Sequence, residues 1–502
     1  MASVDFGNCF ILTLLCLLST FFLFLFFFKK PKKNAFNLPP SPPSLPIIGH
    51  VHHLFSSSIH KSFKKISSKY GPFLHLRIFN VPIVLVSSAS VAYEIFKDHD
   101  MSVSSHGAIG LDECLVFGSY GFINAPYGDY WKFMKKLITT TMLGPQALER
   151  SRDVRAVEME RFYRDLLDKA MKKQSVEIGG EALRLVNSIL GKMSMGRSFQ
   201  EEKVSEFSVK FADLTKKLFL QQILRKPLEK LGISPFKKEI MKVSHGFEEL
   251  LERIIVDYEE NVDEHQGTEI MDTLLAAYLD ENAECKITRM HIKALLAELF
   301  FGAGDTSSNT IQWAMAEIIN NPKILERLRE DIDSVVGRTR LVQETDLPKL
   351  PYLQAVIKES LRLHPPGSLI PRECLKGCKI GGFYIPKGTS LVINGYAVMR
   401  DADSWTDPDE FKPERFLGQE EKREKVLNFL PFGAGRRGCL GSNLAYLAVG
   451  TSIGVMVQCF DWDIEGEKVN MNEASGRIFL ALDHPLKCTP LPRILNLLPT
   501  SL

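Results

Sequence analysis

Pro431-Phe432-Gly433-Ala434-Gly435-Arg436-Arg437-Gly438-Cys439-Leu440-Gly441 is the stretch on which the reading of this chain turns. One cysteine stands in a glycine-rich loop with two arginines just before it. Asn443-Leu444-Ala445-Tyr446-Leu447-Ala448-Val449 then continues in a helical pattern. Gly435, Gly438 and Gly441 lack a Cβ, so the backbone can turn tightly and a flat ligand can lie against it. A helix start brings the positive end of its dipole close to Cys439. That dipole and the neighbouring arginines favour thiolate over thiol, and a thiolate so held is a good ligand for a haem iron. The competing reading is a buried free cysteine in a turn. The other cysteines have no comparable context, and Cys374 and Cys378 are too isolated to complete a four-ligand zinc site.

Outward from this loop, the chain is long enough at 502 residues for a large core. A formal net charge of +2 gives no global attraction to nucleic acid or to an acidic partner. Nine cysteines without regular spacing are not a disulfide framework and suit a reducing compartment. From Phe10 to Phe28 almost every residue is apolar, a length close to the hydrocarbon thickness of a bilayer. Lys29-Lys30-Pro31-Lys32-Lys33 follows at once, which orients the C-terminal side to the cytosol. A cleaved signal peptide needs a basic start, a shorter apolar run and a small-residue cleavage site, none of which is present. The expectation is therefore a single-pass signal anchor over residues 1–28 in the endoplasmic reticulum membrane. A basic, proline-rich hinge over 29–50 and a catalytic body over 51–502 follow it. Leu38-Pro39-Pro40-Ser41-Pro42-Pro43 reads as a semi-rigid spacer, and Leu45, Ile47 and Ile48 suggest that its end packs on the body.

Within the body, helical periodicity covers 154–172, 246–262 and, as the longest candidate, 291–320, which Asn320-Asn321-Pro322 ends. Val81–Val86 reads as strand, and residues 380–389 read as strand, turn, strand. The fold class is mainly α with minor β, in one large domain.

The longest helical candidate carries Gly302-Ala303-Gly304-Asp305-Thr306-Ser307. Two mid-helix glycines are costly unless something flat or a ligand lies against them. Asp305 and Thr306 place a carboxylate beside a hydroxyl. With ordered water such a pair can relay the protons that oxygen activation consumes. Glu359 and Arg362 share a helical face that Pro365-Pro366 terminates. The same spacing at Glu149/Arg152, Glu158/Arg161, Glu326/Arg329 and Glu420/Arg423 reads as solvated faces.

The pattern Phe432-x-x-Gly435-x-Arg437-x-Cys439-x-Gly441 resembles the haem-binding signature of the cytochrome P-450 family. The resemblance extends over essentially the whole chain and is nearest to plant microsomal members. Lys358–Pro366 and Glu473-Ala474-Ser475-Gly476-Arg477 are similar to a crucifer subfamily with triterpenoid-hydroxylating members. It implies the cytochrome P-450 fold behind an N-terminal transmembrane helix, with haem b as cofactor and Cys439 as the iron ligand. Phe432 would pack beside the sulfur, and Gly435 and Arg437 would complete the loop. Asp305 and Thr306 would be the catalytic pair, although Ala303 stands where the family usually has glycine. Trp131, Lys135, Arg372 and Arg437 would meet the haem propionates, with Lys135 replacing a more usual arginine. Glu359, Arg362 and Arg415 would form a buried triad that supports the haem loop. His364 is a helix-end residue rather than an iron ligand.

The implied reaction is insertion of one oxygen of O2 into a lipophilic substrate, a triterpenoid by the finer resemblance. Substrate contacts would come from 101–125, Leu296, Phe300 and Phe301, Gly367–Ile370, and Ile478–Leu480. Electrons would come from an NADPH-cytochrome P-450 reductase, because no Gly-x-Gly-x-x-Gly dinucleotide site is read in the chain. Lys132, Lys135, Lys136 and Arg436 are candidates for docking it. The alternatives are a flavonoid or fatty-acid oxygenase, or a non-catalytic haem-binding protein.

Overall fold

A helix of 32 residues, Arg289–Asn320, organises the molecule. Thr288 opens it with a capping box, its N–H donating to His291 Nδ1 at 3.0 Å. Asn321 closes it, and Pro322 starts the next helix, Pro322–Val335, at a position where its missing N–H costs nothing. The long helix is buried on most of its circumference, which is why its sequence lacks a clean apolar stripe. The computed structural model describes residues 13–21, 37–79, 81–107, 118, 120–196, scattered positions between 210 and 228, then 232–261, 269–282, 285–418, 428–475 and 479–494.

The two glycines of Gly302-Ala303-Gly304 serve different neighbours. A Cβ on Gly304 would come 2.8 Å from Asn187 Oδ1 and 3.2 Å from Leu183 Cδ1, on the packed helix Ile178–Met195. Gly302 has nothing within 4 Å of that position. Gly304→Ala is therefore expected to lower stability by about 1–3 kcal/mol through overpacking. Gly302→Ala is expected to be neutral or to gain up to ~1 kcal/mol from helix propensity. Thermal unfolding of the two variants checks this, and equal shifts would contradict the assignment.

Other helices lie close to the expected spans: Arg152–Met171, Lys237–Glu260, Pro351–Leu363 and Ser442–Cys459. Lys237–Glu260 begins nine residues earlier than the periodicity over 246–262 indicates. Two of the readings as solvated faces are corrected, and Glu420/Arg423 lies outside the described residues. Arg329 is partly buried and donates to Phe460 O at 2.9 Å. Glu158 is buried at 2 % exposure, paired with Lys192 and accepting the Ser188 hydroxyl at 2.5 Å, not solvated.

Strands form a minor part. β1 (Phe73–Ile78) and β2 (Val81–Val86) make an antiparallel hairpin. Val176–Glu177 is β3, Leu369–Glu373 is β4, and Ser390–Asn394 is β7. The four-stranded sheet runs β1-β2-β7-β4, with β2 parallel to β7 and β4 antiparallel to it. Between β4 and β7 stands a small hairpin of β5 (Cys378–Ile380) and β6 (Phe383–Ile385). Its turn is Gly381-Gly382, with φ of 55° and 81°, values that L side chains rarely adopt. In a second sheet β9 (Lys487–Pro492) runs between β3 and β8 (Phe460–Ile464), antiparallel to both.

Of the expected anchor, residues 13–21 are helical, while 1–12 and 22–28 lie outside the described residues. No helix among the described residues is long and apolar enough to cross a membrane. The hinge is described from Asn37 onward, and from there it lies on the body through backbone bonds. Tyr384 N–H donates to Asn37 O at 2.9 Å and His75 N–H to Pro40 O at 2.8 Å. Of the three apolar residues expected to pack, Ile48 does, against the cluster of Val51, Leu54 and Ile78, whereas Leu45 and Ile47 remain exposed.

Candidate functional site

The cysteine loop and the long helix face each other across an internal cavity of about 410 Å³, a size suited to a small molecule or cofactor. One wall is the loop from Pro431 to Gly441. The opposite wall is the helix face of Leu295, Glu298, Leu299, Gly302, Ala303 and Thr306. Of the nine expected site residues, Cys439, Phe432, Arg437, Trp131, Arg372 and Thr306 line this one cavity, whereas Gly435, Lys135 and Asp305 do not.

Cys439 is held by its own N–H, which donates to Phe432 O at 3.0 Å. Cys439 lines the cavity and is exposed to it, while protein buries the sulfur from its other sides. That burial pushes the thiol up, and the backbone N–H groups of Gly441 and Ser442, at the start of Ser442–Cys459, pull it partly back. The helix start thus acts as expected. The arginines do not contribute, since Arg436 turns away to Asp100 (Nε to Oδ2, 3.1 Å) and Arg437 is bonded elsewhere. A coordinated metal would remove the proton outright. Phe432 packs on Tyr446 at 5.3 Å between ring centres. Gly435 shapes the loop from behind. Its φ is 74°, and a Cβ there would collide with the Asp100 carboxylate that accepts Arg436 N–H at 3.0 Å.

Gly433-Ala434-Gly435-Arg436-Arg437-Gly438 does carry the Gly-x-Gly-x-x-Gly spacing that the sequence reading did not credit. The three residues Gly435–Arg437 form a short 3₁₀ turn, and the helix begins only at Ser442. No strand immediately precedes the run among the described residues. The strand–turn–helix context of a dinucleotide site is missing there.

Arg372 and Arg437 are buried beside this loop, at 3 % and 9 % exposure. Neither forms an ion pair with a carboxylate among the described residues. Burial lowers both to about 10, and for Arg372 the neighbouring Arg437 charge adds to it. His106 Nδ1 lies 3.1 Å from Arg372 Nη1. Burial and both arginine charges hold this imidazole down at about 3, so it is neutral. Two buried cations without a counterion, beside a cavity with a sulfur in its wall, fit a ligand that is flat, apolar and carries carboxylates. A haem meets that description, with Arg372 and Arg437 available to its propionates and Cys439 to its iron. Trp131 lies under this group. Phe122 stacks on it at 5.7 Å and 13°, and the Arg437 and Lys135 cations sit 4.7 and 4.9 Å from its ring. Lys135 itself ends on Arg436 O at 3.0 Å, outside the cavity. Its side chain lies along the tryptophan ring, so it reaches the rim of the cavity through Trp131 and Arg436 rather than lining it.

Thr306 and Asp305 are separated by the helix itself. Successive residues are rotated by about 100°, so only Thr306 reaches the cavity, its hydroxyl donating to Gly302 O at 2.7 Å. The same geometry corrects the expected substrate contacts. Leu295 and Leu299 line the cavity, while Leu296, Phe300 and Phe301 point into the core. Phe122, Ile123, Gly367, Leu369, Ile370 and Phe479 do line it. Residues 108–117, 119 and 478 lie outside the described residues.

Behind the loop, Glu359 and Arg362 are fully buried and bidentate at 2.7 and 2.8 Å, and Arg415 Nε reaches Glu359 Oε1 at 2.9 Å. His364 caps the same helix. It stacks on Trp313 and bonds Glu317 Oε1 at 2.8 Å, away from the cavity.

Sequence reading missed Glu298, which lines the cavity at 4 % exposure. The available signal was a charged residue on the apolar face one turn before Gly302. Burial pushes its carboxyl up to about 8 against the pull of two backbone N–H groups. A group raised on folding holds its extra proton between its ordinary value and about 8. Stability should therefore fall as pH rises through that window, at up to ~1.4 kcal/mol per unit. Subtracting the pH–stability profile of Glu298→Gln from that of the wild type isolates this slope. A flat difference would contradict it.

The cytochrome P450 family model matches residues 39–489. Cytochrome P450 705A1 of Arabidopsis thaliana is 64 % identical over 97 % of both chains. Cytochrome P450 705A22 of the same plant is 64 % identical over 98 % of each. More distantly, 3,9-dihydroxypterocarpan 6A-monooxygenase of Glycine max is 38 % identical over 97 % of this chain and 99 % of its own. With the sulfur, the buried cations and the long helix gathered on one cavity, and with matches over almost the full length, the chain belongs to the cytochrome P450 family and is a haem-dependent monooxygenase.

Proposed function

We propose that this enzyme hydroxylates a lipophilic plant secondary metabolite, a triterpenoid, while tethered to the endoplasmic reticulum membrane by residues 1–28 with its body in the cytosol. The observation that carries the reading is the cavity. Its walls beyond the arginines are largely apolar, from Leu143, Val186, Ile189 and Leu190 to Ile357 and Leu361. A substrate held there gains by desolvation and by few polar contacts. Bound haem supplies the oxygen chemistry. The chain's own part is to hold the iron through Cys439, to anchor the propionates on Arg372 and Arg437, and to present the Thr306 hydroxyl to the space between. Asp305, on the next face of the helix, is assigned to proton supply from the side away from the cavity.

Electrons are assigned to an NADPH-cytochrome P-450 reductase docking near Lys132, Lys136 and Arg436. Reconstitution with reductase in membranes tests the reading on triterpenes, with flavonoids and fatty acids as competitors. A triterpenoid product in excess is the expected outcome. Charge reversal at Lys132 and Lys136 should raise the reductase concentration needed for half-maximal turnover. Turnover confined to phenolic polycycles would instead favour the second reading, which the 38 % identity to a pterocarpan monooxygenase supports.

A further inference from the structure

Glu298 takes no part in holding haem or in oxygen chemistry as assigned above, yet it is a buried acid in the cavity wall. Its Oε2 accepts the Phe122 N–H at 2.9 Å and its Oε1 accepts the Ile123 N–H at 3.0 Å. From the other side the same stretch is held by Arg437. Nη1 donates to Ile123 O at 3.2 Å and Nη2 to Ala125 O at 2.5 Å, while Nε donates to Ser104 O at 2.9 Å. Residues 122–125 are thus strung between the long helix and the cysteine loop, each end on a buried ionisable side chain. Phe122 and Ile123 line the cavity along this strap.

A carboxyl is the group this arrangement requires. Two consecutive N–H donors converge on one side chain, and only Asp or Glu keeps an acceptor lone pair on both terminal atoms, the hydroxyl oxygen of the neutral acid included. Gln would present one oxygen and one NH2. Asp, shorter by one methylene, cannot span the same distance from the same helix position. A buried acid without a cationic partner is also expensive, so packing alone would be better served by an apolar residue. No described cation pairs with Glu298. The titratable group that interacts with it electrostatically, from the helix Asp129–Ile138, is Tyr130, whose hydroxyl donates to Tyr120 O at 2.7 Å.

We propose that Glu298 is a positioning residue that clasps the 122–125 strap over the cavity and so makes the haem pocket select its ligands by bulk. This rests on the haem-pocket reading above. Glu298→Gln turns an N–H2 toward one of the two amides and opens the clasp. Glu298→Asp keeps both oxygens but withdraws them.

The test uses the holoenzyme and two readouts. In Glu298→Gln, hydrogen–deuterium exchange at the Phe122 and Ile123 amides should rise by roughly 5–100-fold, the equivalent of a buried donor left unsatisfied. Exchange in β2 should stay unchanged. Imidazole, small enough to reach the iron under a closed strap, should bind the variant within about 2-fold of wild type. Tritylimidazole, which the closed strap opposes, should bind at least ~5-fold tighter. Glu298→Asp should show the same two effects at least as strongly, since it withdraws both acceptors, and it replaces the Gln variant if that fails to fold. Unchanged exchange at 122–123, or equal shifts in the affinities of both imidazoles, would overturn the clasp. Because exchange is read at backbone amides, the clasp stands or falls separately from the haem assignment, which a carbon-monoxide spectrum of the wild type decides.

Discussion

Cys439→Ser is expected to abolish the thiolate-type carbon-monoxide band and to reduce NADPH-driven oxidation by more than the ~10–100-fold that loss of a supporting partner costs at a metal site. Ser442–Cys459 points the N–H groups of Gly441 and Ser442 at the sulfur, and the loop leaves that sulfur facing the cavity. A serine hydroxyl keeps the size of the group but not the soft, electron-donating ligand that favours oxygen cleavage on haem. The fold should persist, because Cys439 side-chain packing is shared with an open space and the loop is fixed by backbone bonds and Asp100. Circular dichroism and haem content separate loss of ligation from loss of structure. A variant with an unaltered carbon-monoxide spectrum and normal turnover would overturn the site as a whole.

The second large effect is expected behind the loop. Glu359→Gln should destabilise the protein by about 3–5 kcal/mol. The substitution keeps the shape and removes the one charge that neutralises two guanidiniums. Arg362 is fully buried and spends its remaining donors on Met399 O at 2.9 Å and Pro408 O at 2.7 Å, so it cannot turn to solvent. Lys412 N–H also donates to Glu359 Oε1 at 2.9 Å, so the carboxylate ties the 405–416 segment to the helix. The matched control is Glu149→Gln, which breaks an ion pair of identical sequence spacing with Arg152 on the surface. There the cost should be about 0–1 kcal/mol. Chemical denaturation of the two variants gives the comparison, and similar costs would show that burial does not set the value of this pair.

That contrast also shows what sequence can and cannot disclose. Glu359/Arg362 and Glu149/Arg152 have the same spacing, and only their apolar and proline context separates them in the sequence. Context failed for Glu158, whose partners Lys192 and Ser188 lie on another helix. The cysteine loop was legible because its glycines, arginines and sulfur are contiguous. The long helix was legible because its length and its proline stop are local signals. What escaped was angular position. Asp305 beside Thr306 in sequence becomes a different face in space, and Leu296, Phe300 and Phe301 yield the cavity to Leu295 and Leu299. Glu298 escaped for a further reason. Its partners are the backbone N–H groups of Phe122 and Ile123, and main-chain donors carry no residue signature.

The parallel pairing of β2 with β7 has a consequence for how the chain is made. Ile83 meets Ser390, roughly 300 residues later. At translation rates of ~5–20 residues per second, the first two strands emerge about 15–60 s before their neighbour exists. Through that interval the outer edge of β2 is an open row of hydrogen-bonding groups flanked by Ile83, Val84, Leu85 and Val86, the kind of edge that recruits other chains. Biogenesis of this protein should thus depend on chaperone cover during synthesis, and late truncations that omit residues 390–394 should aggregate rather than fold in part.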